Sequence, residues 1–143
     1  MRTSTVRLLA LCAGAGFLTL AFAIRLLTGR VLESADALAQ YSGTALYAST
    51  VYAGVYVLRP RTAPLTAGVA AIGFCWLIEV FQLTGIPAAL SAQSVLARLA
   101  LGVRFDPTDL AWYPVGVIPL AAAHQFLRRP STKPTTPRSD TPH

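Results

Sequence analysis

The feature that most constrains this chain is its first 27 residues, where an apolar stretch from about Val6 to Leu27 has Arg2 and Arg7 at its start. At 1.5 Å of rise per residue, about 20 helical residues cross a hydrocarbon core roughly 30 Å thick. The stretch is therefore long enough to span a bilayer. Ala21-Phe22-Ala23 resembles a signal-peptide cleavage site, but the apolar run continues through Ile24, Leu26 and Leu27, so we read it as a retained span.

Three more stretches suit the same role. One covers residues 38–58 and is rich in tyrosine (Tyr41, Tyr47, Tyr52, Tyr56), with Ala45, Ser49 and Ala53 at the four-residue spacing that lets helices approach closely in lipid. Another covers residues 64–85, opened by Pro64 and closed by Gly85 and Pro87. The last covers residues 109–127. Between the third and fourth, residues 86–108 are less apolar. Ser91, Ser94 and Arg98 fall on one helical face and Ala92, Val95, Leu96 and Leu99 on the other, the pattern of an interfacial or re-entrant helix ended by Gly102. Residues 128–143 hold four prolines among serine and threonine and should form a disordered cytoplasmic tail. The expectation is an all-α, four-transmembrane-helix bundle in a single membrane domain, residues 1–127.

Composition agrees. Of 143 residues, 54% are hydrophobic and 13% charged, and mean hydropathy is +0.53. A water-facing domain carries about a quarter charged residues. The net charge of +6 does not point to nucleic acid, because the basic residues flank the apolar stretches instead of forming a patch. With the N-terminus inside, the cytoplasmic side carries eight basic residues (Arg2, Arg7, Arg59, Arg61, Arg128, Arg129, Lys133, Arg138). The outer side carries four (Arg25, Arg30, Arg98, Arg104). The positive-inside rule then places both termini in the cytoplasm of a bacterial inner-membrane protein. Cys12 and Cys75 lie within apolar runs with no metal-ligand spacing, so no metal and no cofactor is expected.

Several polar side chains fall where hydrocarbon is expected. Glu79 lies about 7 Å from the middle of its span toward the outer face, and Gln82 follows on the same helical face. An ionisable group at such depth needs a partner, a proton or water. Arg25, Tyr41, Tyr47, Arg98, Arg104, Asp109 and Tyr113 belong to the same outer half or its edge, and Asp109 and Tyr113 share a face. The cytoplasmic half offers only His124 and Gln125. Two readings follow. In one, these residues line a cavity open to the outer leaflet, with Glu79 as its acid and an arginine holding an anionic head group. In the other, Glu79 pairs with an arginine to fix packing and Asp109 caps the fourth helix. No phosphate loop, metalloprotease motif or nucleophile elbow is present, so an enzyme is the weaker expectation.

Ile78-Glu79-Val80-Phe81-Gln82-Leu83, Leu96-Ala97-Arg98-Leu99-Ala100-Leu101-Gly102-Val103-Arg104-Phe105 and Asp109-Leu110-Ala111-Trp112-Tyr113-Pro114-Val115-Gly116 resemble, in order and spacing, three segments of the DUF2809 group of small bacterial membrane proteins. Arg25 and Tyr41–Tyr47 match that group more loosely. Thr44 stands where the group usually has aspartate after glycine. The glutamate-then-glutamine helix is also faintly similar to VanZ-like envelope proteins. The resemblance implies a membrane role without an assigned chemistry. By analogy it implies a non-enzymatic envelope protein that binds membrane lipid or a lipid-linked anionic ligand. The alternatives are a small proton-coupled transporter (at this size a homo-oligomer), a membrane enzyme acting on lipid head groups, and a structural or assembly subunit.

Overall fold

The computed structural model describes residues 2–28 and 36–128. The expected disorder of the tail beyond Arg128, and Arg30, Arg129, Lys133 and Arg138, lie outside the described residues. Among those described, the chain is all helical, in the order α1 (Thr3–Thr28), α2 (Asp36–Leu58), α3 (Pro64–Gln82), α4 (Ile86–Gln93), α5 (Val95–Leu101) and α6 (Pro107–Leu127).

Three of these helices, α1, α3 and α6, are long and apolar enough to cross a membrane. Their large side chains face outward: Leu9, Leu18, Phe22, Leu77 and Ile118 are all about half exposed or more. A water-soluble fold would bury such residues, so lipid is the medium this surface suits. The chain is accordingly built as a membrane protein.

α2 is as long as the others but does not reach their apolarity, because its tyrosines, serines and threonines lower its hydropathy. Its position supplies the reason. α2 packs against α1, α3 and α6, and no residue from Tyr41 to Val57 is exposed. A helix surrounded by protein can carry polar groups that find partners on its neighbours. α1 packs chiefly on α2, through the small residues Ala10 and Gly14. A Cβ at Gly14 would touch Ala53 and Thr50 at 3.8 Å.

The small-residue spacing on α2 is used as expected. At the α2–α6 crossing, Ser49 is 4% exposed and its hydroxyl lies 2.9 Å from the Gly116 carbonyl oxygen and 3.0 Å from that of Ala45. Gly116 itself abuts the Ala45 backbone so closely that a Cβ there would collide with the Ala45 carbonyl. Backbone cannot yield as a flexible side chain can.

α6 contains Pro114 and Pro119 yet remains helical. Pro114 has no N–H for the carbonyl four residues earlier, that of Leu110. The Trp76 indole N–H on α3 donates to that freed oxygen at 3.0 Å. The helix break in hydrocarbon is thus repaired by a neighbour.

Three boundaries and one pair of helical faces differ from the sequence expectation. α3 ends at Gln82, three residues before Gly85, and Gly85 (φ 75°) instead precedes α4. Residues 86–108 do not form one amphipathic helix. Ser94 is extended (φ −145°, ψ 126°), divides α4 from α5 and caps α5 by accepting from the Ala97 N–H. The expected division into two faces is not kept either: Ser91 is buried, whereas Ser94 and Arg98 are exposed along with Ala92, Val95, Leu96 and Leu99. Finally, α6 starts at Pro107, so Asp106 and not Asp109 is its N-cap, accepting from the Thr108 N–H at 2.9 Å. Gly102 does end α5, at φ 68°.

The tight α2–α6 crossing should be sensitive to a single methyl group. Gly116→Ala should destabilise the detergent-solubilised protein by about 3 kcal/mol, the scale of overpacking against an unyielding neighbour. Gly73→Ala, where a Cβ meets nothing within 4 Å, should be neutral or stabilising by up to about 1 kcal/mol. Equal thermal unfolding midpoints for the two variants would contradict this crossing.

Candidate functional site

The polar residues singled out in the sequence meet mainly at the end of the bundle formed by the C-terminus of α3, the N-terminus of α6 and the α4–α5 hairpin. Glu79 is fully buried. Its Oε1 accepts the Asp106 backbone N–H at 2.6 Å, and its Oε2 accepts the Tyr113 hydroxyl at 2.7 Å. The expected arginine partners do not pair with it: Arg98 and Arg104 are exposed, and no ion pair links them to Glu79 among the described residues. The physical reason is geometric. A carboxylate facing the loop into α6 meets a free N-terminal amide and a tyrosine one helix away, both within reach without bringing a guanidinium out of water.

Around Glu79, three more side chains grip the same link. The Tyr47 hydroxyl donates to the Ala100 carbonyl, the Gln82 amide nitrogen to that of Leu101, and the Ser91 hydroxyl to that of Gly102, each at 2.7 Å. These oxygens belong to the end of α5 and the residue after it, where a helix leaves carbonyls without internal partners. Side chains from α2, α3 and α4 therefore converge on the α5–α6 link. A Cβ at Gly102 would lie 2.5 Å from the Gln82 amide nitrogen, so glycine here serves both the positive φ and the close approach. The Gln82 Oε1 atom is buried with no hydrogen-bond partner.

The remaining predicted residues are near but not joined to Glu79. Asp109 does not share a partner with Tyr113; its Oδ1 lies 2.9 Å from the Thr44 hydroxyl on α2. Tyr41 stacks on Trp112 with ring centroids 5.0 Å apart and planes 8° from parallel, tying α2 to α6 at this end. Arg25 is exposed in the last turn of α1, a helix that packs on α2 and so stays away from α3.

Sequence reasoning overlooked three contributors. Asp106 caps α6 and also accepts from the Gln40 amide at 2.7 Å. Its signal was available in Asp106-Pro107-Thr108, an acidic residue before a proline that opens a helix. Ser91 and Trp76 carried no such signal, since their partners are backbone carbonyls. The opposite half of the bundle also holds a polar set of its own. The Tyr52 hydroxyl lies 3.2 Å from His124 Nδ1 and 3.4 Å from the Tyr56 hydroxyl, and the Arg128 guanidinium lies 5.8 Å from the centre of the Tyr56 ring. These residues span α2 and α6 in three dimensions, and Tyr52 and His124 are 72 positions apart in sequence.

The fold and this enclosed polar end define an all-helical protein of membrane type. Residues 34–117, well over half the chain, match the family described as "Protein of unknown function (DUF2809)", and the chain belongs to that family. No curated protein and no solved structure matches it.

The pairing of Glu79 sets the cost of removing it. Glu79→Leu leaves the Asp106 N–H and the Tyr113 hydroxyl unpaired, and should cost about 3–5 kcal/mol. Tyr113→Phe removes one donor to the buried carboxyl and should cost about 1.5–3 kcal/mol. Glu79→Gln retains an acceptor and should be milder than Glu79→Leu. Chemical unfolding in detergent measures all three, and an unaffected Glu79→Leu protein would show that the clamp contributes nothing.

Asp106 supplies a pH dependence. The Thr108 N–H and hydroxyl, then the Gln40 amide and the nearby Arg104 charge, hold its carboxyl below the ordinary carboxylate range. A lowered folded-state pKa stabilises the fold above the unfolded value, about 3.9, and that stabilisation is lost as pH falls through the folded value. The contribution should be constant from neutral pH to about pH 5 and decline below about pH 4. In Asp106→Asn the acid decline of the thermal midpoint should be shallower; an identical decline would remove Asp106 as its source.

Proposed function

We propose that this chain is a four-span, non-enzymatic protein of the bacterial cytoplasmic membrane that binds a lipid or lipid-linked anionic ligand at its outer end. The observation that carries this reading is the exterior of the α4–α5 hairpin. Val95, Leu96 and Leu99 are 74%, 78% and 68% exposed, and Arg98 is exposed in the same short helix. An apolar surface beside an unpaired guanidinium suits the acyl chain and anionic head group of an amphiphile. Arg104 adds a second cation after the hairpin.

The role of Glu79 changes accordingly. Its oxygens are occupied by the protein's own donors, so the ligand contacts fall to Arg98 and Arg104, with Glu79, Gln82 and Tyr47 holding the hairpin in place. The fourth span is α2. It is about 34 Å long at helical rise and is packed against all three apolar helices. A helix of that length inside a spanning bundle crosses with it. The basic-residue asymmetry supports both termini being cytoplasmic, and the faint VanZ likeness supports a cell-envelope process.

Native mass spectrometry of the solubilised protein tests the binding. The anionic lipid adduct held by Arg98 and Arg104 should fall by about tenfold in Arg98→Ala/Arg104→Ala and persist in Tyr41→Phe. Unchanged adducts in the arginine variant would sink the proposal. That result would favour a structural or assembly subunit, the reading supported by the complete internal pairing of the Glu79 carboxyl oxygens.

A further inference from the structure

The other end of the bundle carries a feature that the hairpin does not explain. The first turns of α1, the end of α2 and the α2–α3 turn surround an open cleft of about 560 Å³, lined by Thr3, Arg7, Arg59, Pro60, Arg61 and Thr62. Arg7, Arg59 and Arg61 are all exposed. The carboxylates of Glu79, Asp106 and Asp109 lie at the opposite end.

The cleft is set on a fastened turn. The Thr62 N–H and hydroxyl donate to the Arg59 carbonyl at 3.1 Å and 2.8 Å, and Arg128 from α6 donates to the Thr62 carbonyl at 3.2 Å. α3 begins two residues later with no side-chain cap, so its positive end adds to the field of the arginines. The positive-inside rule accounts for arginines on this side of the membrane. It does not require that Arg7, from a separate helix, share one concavity with Arg59 and Arg61. Three like charges in one cleft repel unless an anion occupies it.

The neighbouring apolar residues indicate the source of the anion. Leu8, Leu58 and Leu65 are 62%, 78% and 63% exposed, and each lies in the same turn as, or a few residues from, a cleft arginine. A soluble phosphate would have no use for that apolar rim. The geometry points to this cleft as a binding site for the phosphate of an anionic phospholipid, with Arg7, Arg59 and Arg61 on the head group and Leu8, Leu58 and Leu65 along the acyl chains. Under the orientation proposed above, that lipid belongs to the cytoplasmic leaflet; the site itself does not depend on the outer-end reading.

The test is native mass spectrometry of the full chain in non-ionic detergent, titrated separately with phosphatidylglycerol, phosphatidylcholine and inorganic phosphate. One phosphatidylglycerol per chain should be retained under activation that strips phosphatidylcholine. Retention should weaken roughly a hundredfold in Arg7→Gln/Arg59→Gln/Arg61→Gln, because each substitution removes one positive charge from the head-group site. Arg59→Gln alone preserves most of the topogenic charge and should weaken binding about fivefold, so the test stands if the triple variant does not insert. Equal retention of the two lipids, or unchanged phosphatidylglycerol binding in Arg59→Gln, overturns the site. Displacement of the lipid by millimolar inorganic phosphate overturns the assignment to lipid. The Arg98→Ala/Arg104→Ala protein should keep this adduct, which separates failure here from failure at the hairpin.

Discussion

The structure depends on one constraint, that backbone groups withdrawn from water must find partners within the protein. The link between α5 and α6 is where that constraint is most severe, because a short helix ends, a positive-φ glycine follows and a new helix begins within six residues. Four side chains from three helices meet it: Tyr47, Gln82 and Ser91 supply donors to consecutive carbonyls, and Glu79 supplies an acceptor to the Asp106 amide. The same constraint explains Trp76 on the carbonyl that Pro114 leaves free. A buried glutamate in an apolar helix therefore need not indicate chemistry. Here its two oxygens accept from the link into α6 and from α6 itself.

This arrangement also accounts for the unusual composition of α2. A lipid-facing helix can be rich in leucine and alanine, as α1 is. A central helix must instead fit three neighbours, and it does so with alanine and serine where backbones approach and with tyrosine where a long reach to a polar atom is needed. Ser49 against Gly116 and Tyr47 against Ala100 are the two cases, one requiring the smallest polar side chain and the other among the longest. The tyrosines are thus mostly interior: Tyr52, Tyr56 and Tyr113 are each less than 7% exposed.

Much of the fold was legible in the sequence, and the reason is physical. Apolar length and flanking charge directly determine where a helix lies relative to lipid, so α1, α3 and α6 follow from the pattern of residues. The importance of Glu79 and Gln82 was legible for a related reason, since polar groups in such runs are costly enough to demand an explanation. Their partners were not. Arginine was the expected partner because charge complementarity is visible in sequence, whereas a backbone amide is present at every non-proline residue and carries no sequence signal. Residues 86–108 failed in the same way. Helical periodicity continues smoothly through Ser94, and the break there reflects capping and hairpin closure, which depend on tertiary position. The Tyr52–His124 cluster combined residues too distant in sequence for any local pattern to join.

The two ends of the bundle now differ in kind. At one end the acidic and amide side chains are spent on the protein's own backbone and side chains, leaving Arg98 and Arg104 outside among exposed leucines and valines. At the other end Arg7, Arg59 and Arg61 share an open cleft held by Thr62 and Arg128. With Glu79 buried and Arg7, Arg59, Arg61, Arg98 and Arg104 exposed, the exposed charge among the described residues is predominantly positive. Anionic lipid is the counter-charge that a bilayer supplies in quantity at its surfaces. The inward use of Glu79 and the outward exposure of the arginines are therefore two results of one distribution of charge.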